Sequence, residues 1–148
     1  MSQQEPTRAP SGGAAEHRLV LPARAEAIET ALEEMMLIVE QNESSCGDTA
    51  EIRLALREAL NNALRHGNKM DPSKKIHFSY SLTPQQGLWV MIRDEGNGFN
   101  PDVVPDPTQP ENLDRTGGRG VFLMRNLMDE VEFRDGGREV HMRRRPRS

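Results

Sequence analysis

Residues Lys75 to Leu82 read KIHFSYSL, with Ile76, Phe78, Tyr80 and Leu82 at every second position and polar residues between. A period of two marks a strand with one buried face, because successive side chains on an extended chain point to opposite sides. The turn Pro84 to Gly87 follows, and then Leu88 to Arg93, LWVMIR, which is apolar almost throughout. Such a run predicts a central strand, paired with its predecessor as an antiparallel hairpin. The apolar face of that hairpin needs a second layer to bury it.

Helical periodicity supplies the second layer. From Ala23 to about Gln41, Ile28, Leu32, Met35 and Val39 recur at spacings of three and four, which predicts an amphipathic helix. Met35 and Met36 are assigned to the core by default, with an interface as the alternative. Asn42 to Gly47 reads as a loop, and Asp48 or Thr49 is placed to cap a second helix. That helix runs to about His66, with Ile52, Leu56, Ala59, Leu60 and Ala63 on one side and Gly67 positioned to end it. Ahead of both helices, His17 to Leu21 is a short strand that stops at Pro22.

Beyond Asp94 the texture changes. Glu95 to Thr116 carries Pro101, Pro105, Pro107 and Pro110 and few apolar anchors, so it reads as a lid or a disordered segment. A helix resumes near Gly118, with Val121, Met124, Leu127 and Met128 as its stripe. Two strands close the pattern, Val131 to Arg134 and Glu139 to Met142, around the turn Asp135-Gly136-Gly137. No internal repeat is found. The order predicts an α+β fold, a two-layer α/β sandwich with a mainly antiparallel sheet and helices on one face.

The ends differ from this middle. Met1 to Glu16 is rich in Gln, Pro, Ser, Gly and Ala and is read as a disordered leader. The basic stretch from Arg143 to Ser148 is expected to be solvated. The expected division is a leader at 1–16, one domain at 17–143 and a basic tail at 144–148. The net charge of −4 gives no support for direct nucleic-acid binding. A single cysteine, Cys46, rules out an intramolecular disulfide and offers no zinc pattern. No apolar run is long enough to span a membrane and no signal-peptide arrangement opens the sequence, so a cytoplasmic location is expected.

Three segments carry chemistry. In the second helix Glu58, Asn62 and His66 fall at i, i+4 and i+8, one face of an α-helix. An amide oxygen there can bind a hard cation such as Mg²⁺, and a carboxylate can orient a hydroxyl or water; an exposed polar face gives the same pattern. Asp94-Glu-Gly96-Asn-Gly98-Phe99 follows a buried strand, where a carboxylate can accept from an exocyclic amine and glycines let backbone approach a flat base. A glycine-containing turn gives the same pattern. Thr116-Gly117-Gly118-Arg119-Gly120-Val121 opens a helix whose free amides can bind phosphate. No Lys-Ser/Thr follows, so it is not a Walker A loop, and it lies outside any dinucleotide-binding βαβ unit. All three in one order, with a lid between, describe a nucleotide pocket more strongly than any one does.

EALNNALRHGN resembles the N box of the GHKL ATPases, DEGNGF their G1 box and GGRGVFLM their G2 box. Within that superfamily the likeness is greatest to the anti-sigma-factor serine/threonine kinases, the RsbW-like group, on the E-A-x-x-N-A-x-x-H-G wording and on RTGGRGVFLMRNLMDEVEF. It covers about His17 to Arg143. The resemblance implies the Bergerat fold and a site that binds ATP and Mg²⁺. Asn62 would coordinate the Mg²⁺ and Glu58 would be the catalytic general base. Asp94 would bind the adenine amine beside Gly96 and Gly98, Gly118 and Gly120 would let backbone amides wrap the phosphates, and Arg115 would pair with a phosphate. His66 receives no chemical role.

Fold does not fix function. GHKL histidine kinases carry a helix with a phospho-accepting His, and chaperones and topoisomerases carry large further domains. The sequence shows neither, with His17 in a strand, so a stand-alone module is expected. The reading is a kinase that phosphorylates an anti-sigma-factor antagonist of STAS-like type and sequesters a sigma factor, working as a homodimer. The alternative is a non-catalytic partner switch that holds ATP only to set its shape.

Overall fold

The computed structural model describes residues 16–42, 48–67, 71, 73–96 and 116–146, side chains at 66–67 and 116–119 excepted. Expectations for the leader up to residue 15, the loop at 43–47, the lid at 97–115 and the last two residues lie outside the described residues. The elements are strand β1 (His17–Pro22), helices α1 (Ala25–Glu40) and α2 (Thr49–Asn62), strands β2 (Lys75–Thr83) and β3 (Gly87–Asp94), helix α3 (Thr116–Leu127), and strands β4 (Glu130–Arg134) and β5 (Glu139–Arg144).

The five strands form one sheet in the order β1-β2-β3-β5-β4, with every neighbouring pair antiparallel. The sandwich expected from the residue pattern is therefore present, and β3 is its central strand. The pairing Phe78 with Ile92 and Ile92 with Val140 carries one apolar row across three strands. On that face Ile76, Phe78, Leu88, Val90, Ile92 and Met142 are buried. They share a single core with Ile28, Leu32, Met35 and Met36 of α1, Ile52, Leu56 and Leu60 of α2, and Val121 and Met124 of α3. Met35 and Met36 are thus core residues.

On its other face β3 is buried at Gly87 and Trp89, while Met91 and Arg93 are partly exposed. Trp89 is 3 % exposed and stands beside His141 of β5, ring centroids 6.0 Å apart. Trp89 and Met91 carry the apolar run of β3 onto this partly covered face, which is why its sequence lacks the alternation seen in β2.

Local signals set the helix ends. Asp48 caps α2 by accepting from the amides of Ala50 (2.9 Å) and Glu51 (3.3 Å), the interaction that favours Asp at this position. At its other end α2 does not continue as an α-helix to His66. Ala63–Gly67 is a π-turn, wider than 3.6 residues per turn, so the i+8 spacing no longer places position 66 above 58 and 62. The side chain of His66 lies outside the described residues.

The basic end departs from expectation. β5 runs to Arg144, and the Arg144 side chain is buried, not solvated. Its guanidinium donates to the Leu127 carbonyl at the end of α3 and to Glu51 Oε1 in the first turn of α2 at 2.6 Å. A cation at a helix C-terminus meets carbonyls with no intrahelical partner, so Arg144 joins both helices to the sheet.

Gly87 opens β3 with φ +77, and a Cβ there would stand 2.1 Å from the Arg144 carbonyl oxygen. The left-handed conformation alone disfavours a side chain by about 1–2 kcal/mol, and the clash with backbone adds to it. Gly87→Ala should lower stability by about 2–4 kcal/mol, read as a lower urea midpoint at unchanged slope. A loss below about 0.5 kcal/mol would contradict the close approach.

Candidate functional site

The site is built where the C-terminal end of β3 meets the last turns of α2. Asp94, the final residue of β3, points to the helix side of the sheet, two positions beyond Ile92. It is 4 % exposed. Its amide donates to the Arg138 carbonyl at 2.9 Å, tying the end of β3 to the start of β5. One carboxylate oxygen, Oδ1, accepts from the Gly96 amide at 2.8 Å. Among the described residues no hydrogen bond engages the other oxygen, which remains available to a donor.

Asn62, the last residue of α2, is 8 % exposed, and no hydrogen bond to its carboxamide is found among the described residues. An amide oxygen on a cleft wall with no protein donor on it is a fit acceptor for a ligand or ion. Asn62 and Asp94 line one cleft, walled by Ala59 and Ala63 of α2, Ile92, Met124 of α3, and Phe133, Arg138 and Val140 of the last hairpin. The walls are apolar and the polar groups few, and the free space between them is ≈ 10 Å³, room for about one water.

Glu58 stands one turn before Asn62 and is half-buried. Both face α3. A Cβ built at Gly120 would lie 3.7 Å from Glu58 Oε2 and 3.8 Å from Asn62 Oδ1. Glu58, Asn62 and the α3 backbone therefore come together.

The glycines divide by role. Gly118 falls in the first turn of α3, where backbone amides have no intrahelical acceptor. Gly120 lies past that turn, within ordinary contact distance of Glu58 and Asn62 on α2. Gly96 is buried and makes the turn onto Asp94. Gly98 and Arg115 lie outside the described residues. Arg138 and Phe133 were not anticipated from sequence, since neither sits in a box; only the Asp135-Gly136-Gly137 turn beside them gave a signal.

A larger groove, ≈ 390 Å³, runs between β1 and the start of α1, lined by Leu19, Leu21, Arg24, Ala27 and Glu34 among others. It contains none of these residues and no buried polar group converging on its centre.

Burial raises the pKa of Asp94 above the ordinary carboxylate value, against the Gly96 amide and the charges of Arg138, Arg93 and Lys74, which oppose the rise. The folded chain therefore binds a proton at Asp94 more tightly than the unfolded chain does. Stability falls as pH rises from the unfolded toward the folded pKa, and at neutral pH the ionised carboxylate is a burden on the fold. Asp94→Asn keeps an oxygen for the Gly96 amide and removes that charge. The variant should melt higher than wild type at neutral pH, with the gap closing toward about pH 4. A lower melting point at neutral pH would contradict this.

A family model described as the histidine kinase-like ATPase domain matches residues 21–144. Serine-protein kinase RsbW of Staphylococcus aureus strain JH9 is 30 % identical over 102 residues, which is 64 % of this chain and 64 % of that protein. The RsbW proteins of strains Newman and USA300 match to the same extent. The chain thus spans just under two thirds of the length of these relatives. Since the family match runs from the end of β1 to the end of β5 and takes in Glu58, Asn62, Asp94 and Gly120, the chain belongs to the histidine kinase-like ATPase domain family.

Proposed function

We propose that the chain is an ATP-dependent serine/threonine kinase of the anti-sigma-factor type, acting on a STAS-like antagonist and also binding a sigma factor. The observation that carries this reading is the meeting of Glu58 Oε2 and Asn62 Oδ1 at the α3 backbone, one cleft away from a buried Asp94. The relatives it resembles are serine-protein kinases, which points to the same chemistry.

The roles follow from the chemistry of each group. Asp94 accepts from the exocyclic amine of adenine, with Gly96 keeping the carboxylate oriented. The first-turn amides of α3, at Gly118 among others, face the phosphates, and Arg115 supplies a charge to them. Gly98 shapes the wall beyond Gly96. Asn62 Oδ1 would hold Mg²⁺, an ion that characteristically takes one or two protein oxygens and completes its shell with phosphate and water; when bound it neutralises phosphate charge. The donor set fits, because Asn62 offers an amide oxygen on the cleft wall beside Asp94 and within reach of Glu58.

Transfer requires a new bond between the acceptor hydroxyl oxygen and the γ-phosphorus, and loss of the bond from that phosphorus to the β,γ-bridging oxygen, with ADP as leaving group. The hydroxyl proton passes to the Glu58 carboxylate. No helix among the described residues is long and apolar enough to cross a membrane. A cytoplasmic homodimer, with the domain starting at His17 and running through Arg144, completes the proposal.

Glu58→Gln separates base chemistry from binding, since the amide keeps the size of the side chain and removes its basicity. Phosphate transfer to a serine-bearing antagonist should fall about 10²–10⁴-fold, with the affinity for Mg-ATP within about threefold of wild type. Transfer at the wild-type rate would remove Glu58 as the base. Wild-type binding of ATP without transfer to any antagonist would leave a nucleotide-dependent partner switch.

A further inference from the structure

The cleft has a cationic wall that none of the three sequence boxes contains. Arg138 follows the Asp135-Gly136-Gly137 turn, is half-buried, and lines the cleft together with Asp94 and Asn62. Its carbonyl accepts the Asp94 amide, so its backbone is fixed relative to that carboxylate. The side chain is fixed as well. Arg138 Nε donates to the Asp135 carbonyl at 3.2 Å, Arg138 Nη2 meets Asp135 Oδ1 at 3.3 Å, and the Arg138 amide donates to the same carbonyl at 3.2 Å. Asp135 is itself held, with Oδ2 2.9 Å from Arg93 Nη1.

Asp135 adopts φ +54, the one non-glycine residue in the left-handed region among the described residues. Asp tolerates this conformation better than most side chains but still rarely adopts it. A strained residue persists where its surroundings over-determine it, and such residues gather at binding sites. Here the strain serves to turn a carboxylate and a carbonyl onto one arginine at the edge of the cleft.

We infer that Arg138, oriented by Asp135, contacts the base of the bound nucleotide. This rests on the nucleotide reading of the cleft. A guanidinium is planar and donates only, whereas Asp94 accepts only. A purine edge offers an amine hydrogen next to a ring nitrogen acceptor, so an acceptor and a donor side by side match it; the guanidinium plane can also lie over the flat ring. Because Arg138 is ordered before any ligand arrives, little side-chain freedom is lost on binding.

The test compares a ligand that has a base with one that lacks it. Calorimetric titrations of Mg-ATP and of Mg-tripolyphosphate are run on wild type, Arg138→Ala, Arg138→Lys and Asp135→Asn. Arg138→Ala should weaken ATP about tenfold and leave tripolyphosphate unchanged. Arg138→Lys keeps the charge but loses the plane, and should show most of the same loss. Asp135→Asn tolerates the positive φ, frees the guanidinium, and should give a smaller loss in the same direction. Unchanged ATP affinity in Arg138→Ala and Arg138→Lys would overturn the contact, and so would equal losses for both ligands. If wild type binds no ATP, the nucleotide reading and the contact fall together; wild-type binding with unaffected variants removes the contact alone.

Discussion

The hydrogen bond from the Asp94 amide to the Arg138 carbonyl lies just past the last β3–β5 pair, Arg93 with Glu139, at the place where the chain leaves the sheet. Everything at the cleft is referred to that point. It sets Asp94 on the helix side of the central strand, with one carboxylate oxygen taken by the Gly96 amide. It brings the Asp135 turn, and Arg138 with it, to the same edge. From the other layer α2 arrives with Asn62 as its last residue, and α3 lies against α2 through Gly120. A carboxylate buried at the end of a central strand is an expensive feature for a fold to keep, as its raised pKa shows. It is maintained where a ligand makes use of it.

The layered fold was legible because two periods do not resemble each other. Alternation in β2 and the three-and-four spacing of α1 and α2 each point to one buried face, and all of those faces meet in one core. Boundaries were less legible, for reasons that can be named. β5 runs on to Arg144 because its guanidinium finds Leu127 and Glu51, partners far away in sequence that no local pattern contains. α2 gives way to a π-turn at Ala63, and nothing in the composition of ALRHG marks that change.

The site shows the same division. Glu58, Asn62 and Asp94 could be picked out because each lies in a short segment whose spacing carries a chemical meaning. The described structure brings all three to neighbouring positions. Arg138 carries no such mark. An arginine after a Gly-Gly turn is an ordinary surface residue until the sheet order places β5 next to β3 and turns it toward Asp94. Gly120 was singled out beside Gly118 in the glycine-rich helix start, and it lies within contact range of Glu58 and Asn62. Motif reading finds residues whose role is local, and topology decides the rest.

The central claim is that Asn62 and Asp94 form two ends of one nucleotide site. Calorimetric titration of Mg-ATP into wild type, Asn62→Ala and Asp94→Asn tests it most directly. The account predicts saturable binding by wild type and a loss of about tenfold or more in each variant, since each removes a hydrogen bond or ion contact inside a buried cleft. Binding unaffected by either change, or absent from wild type, would contradict it.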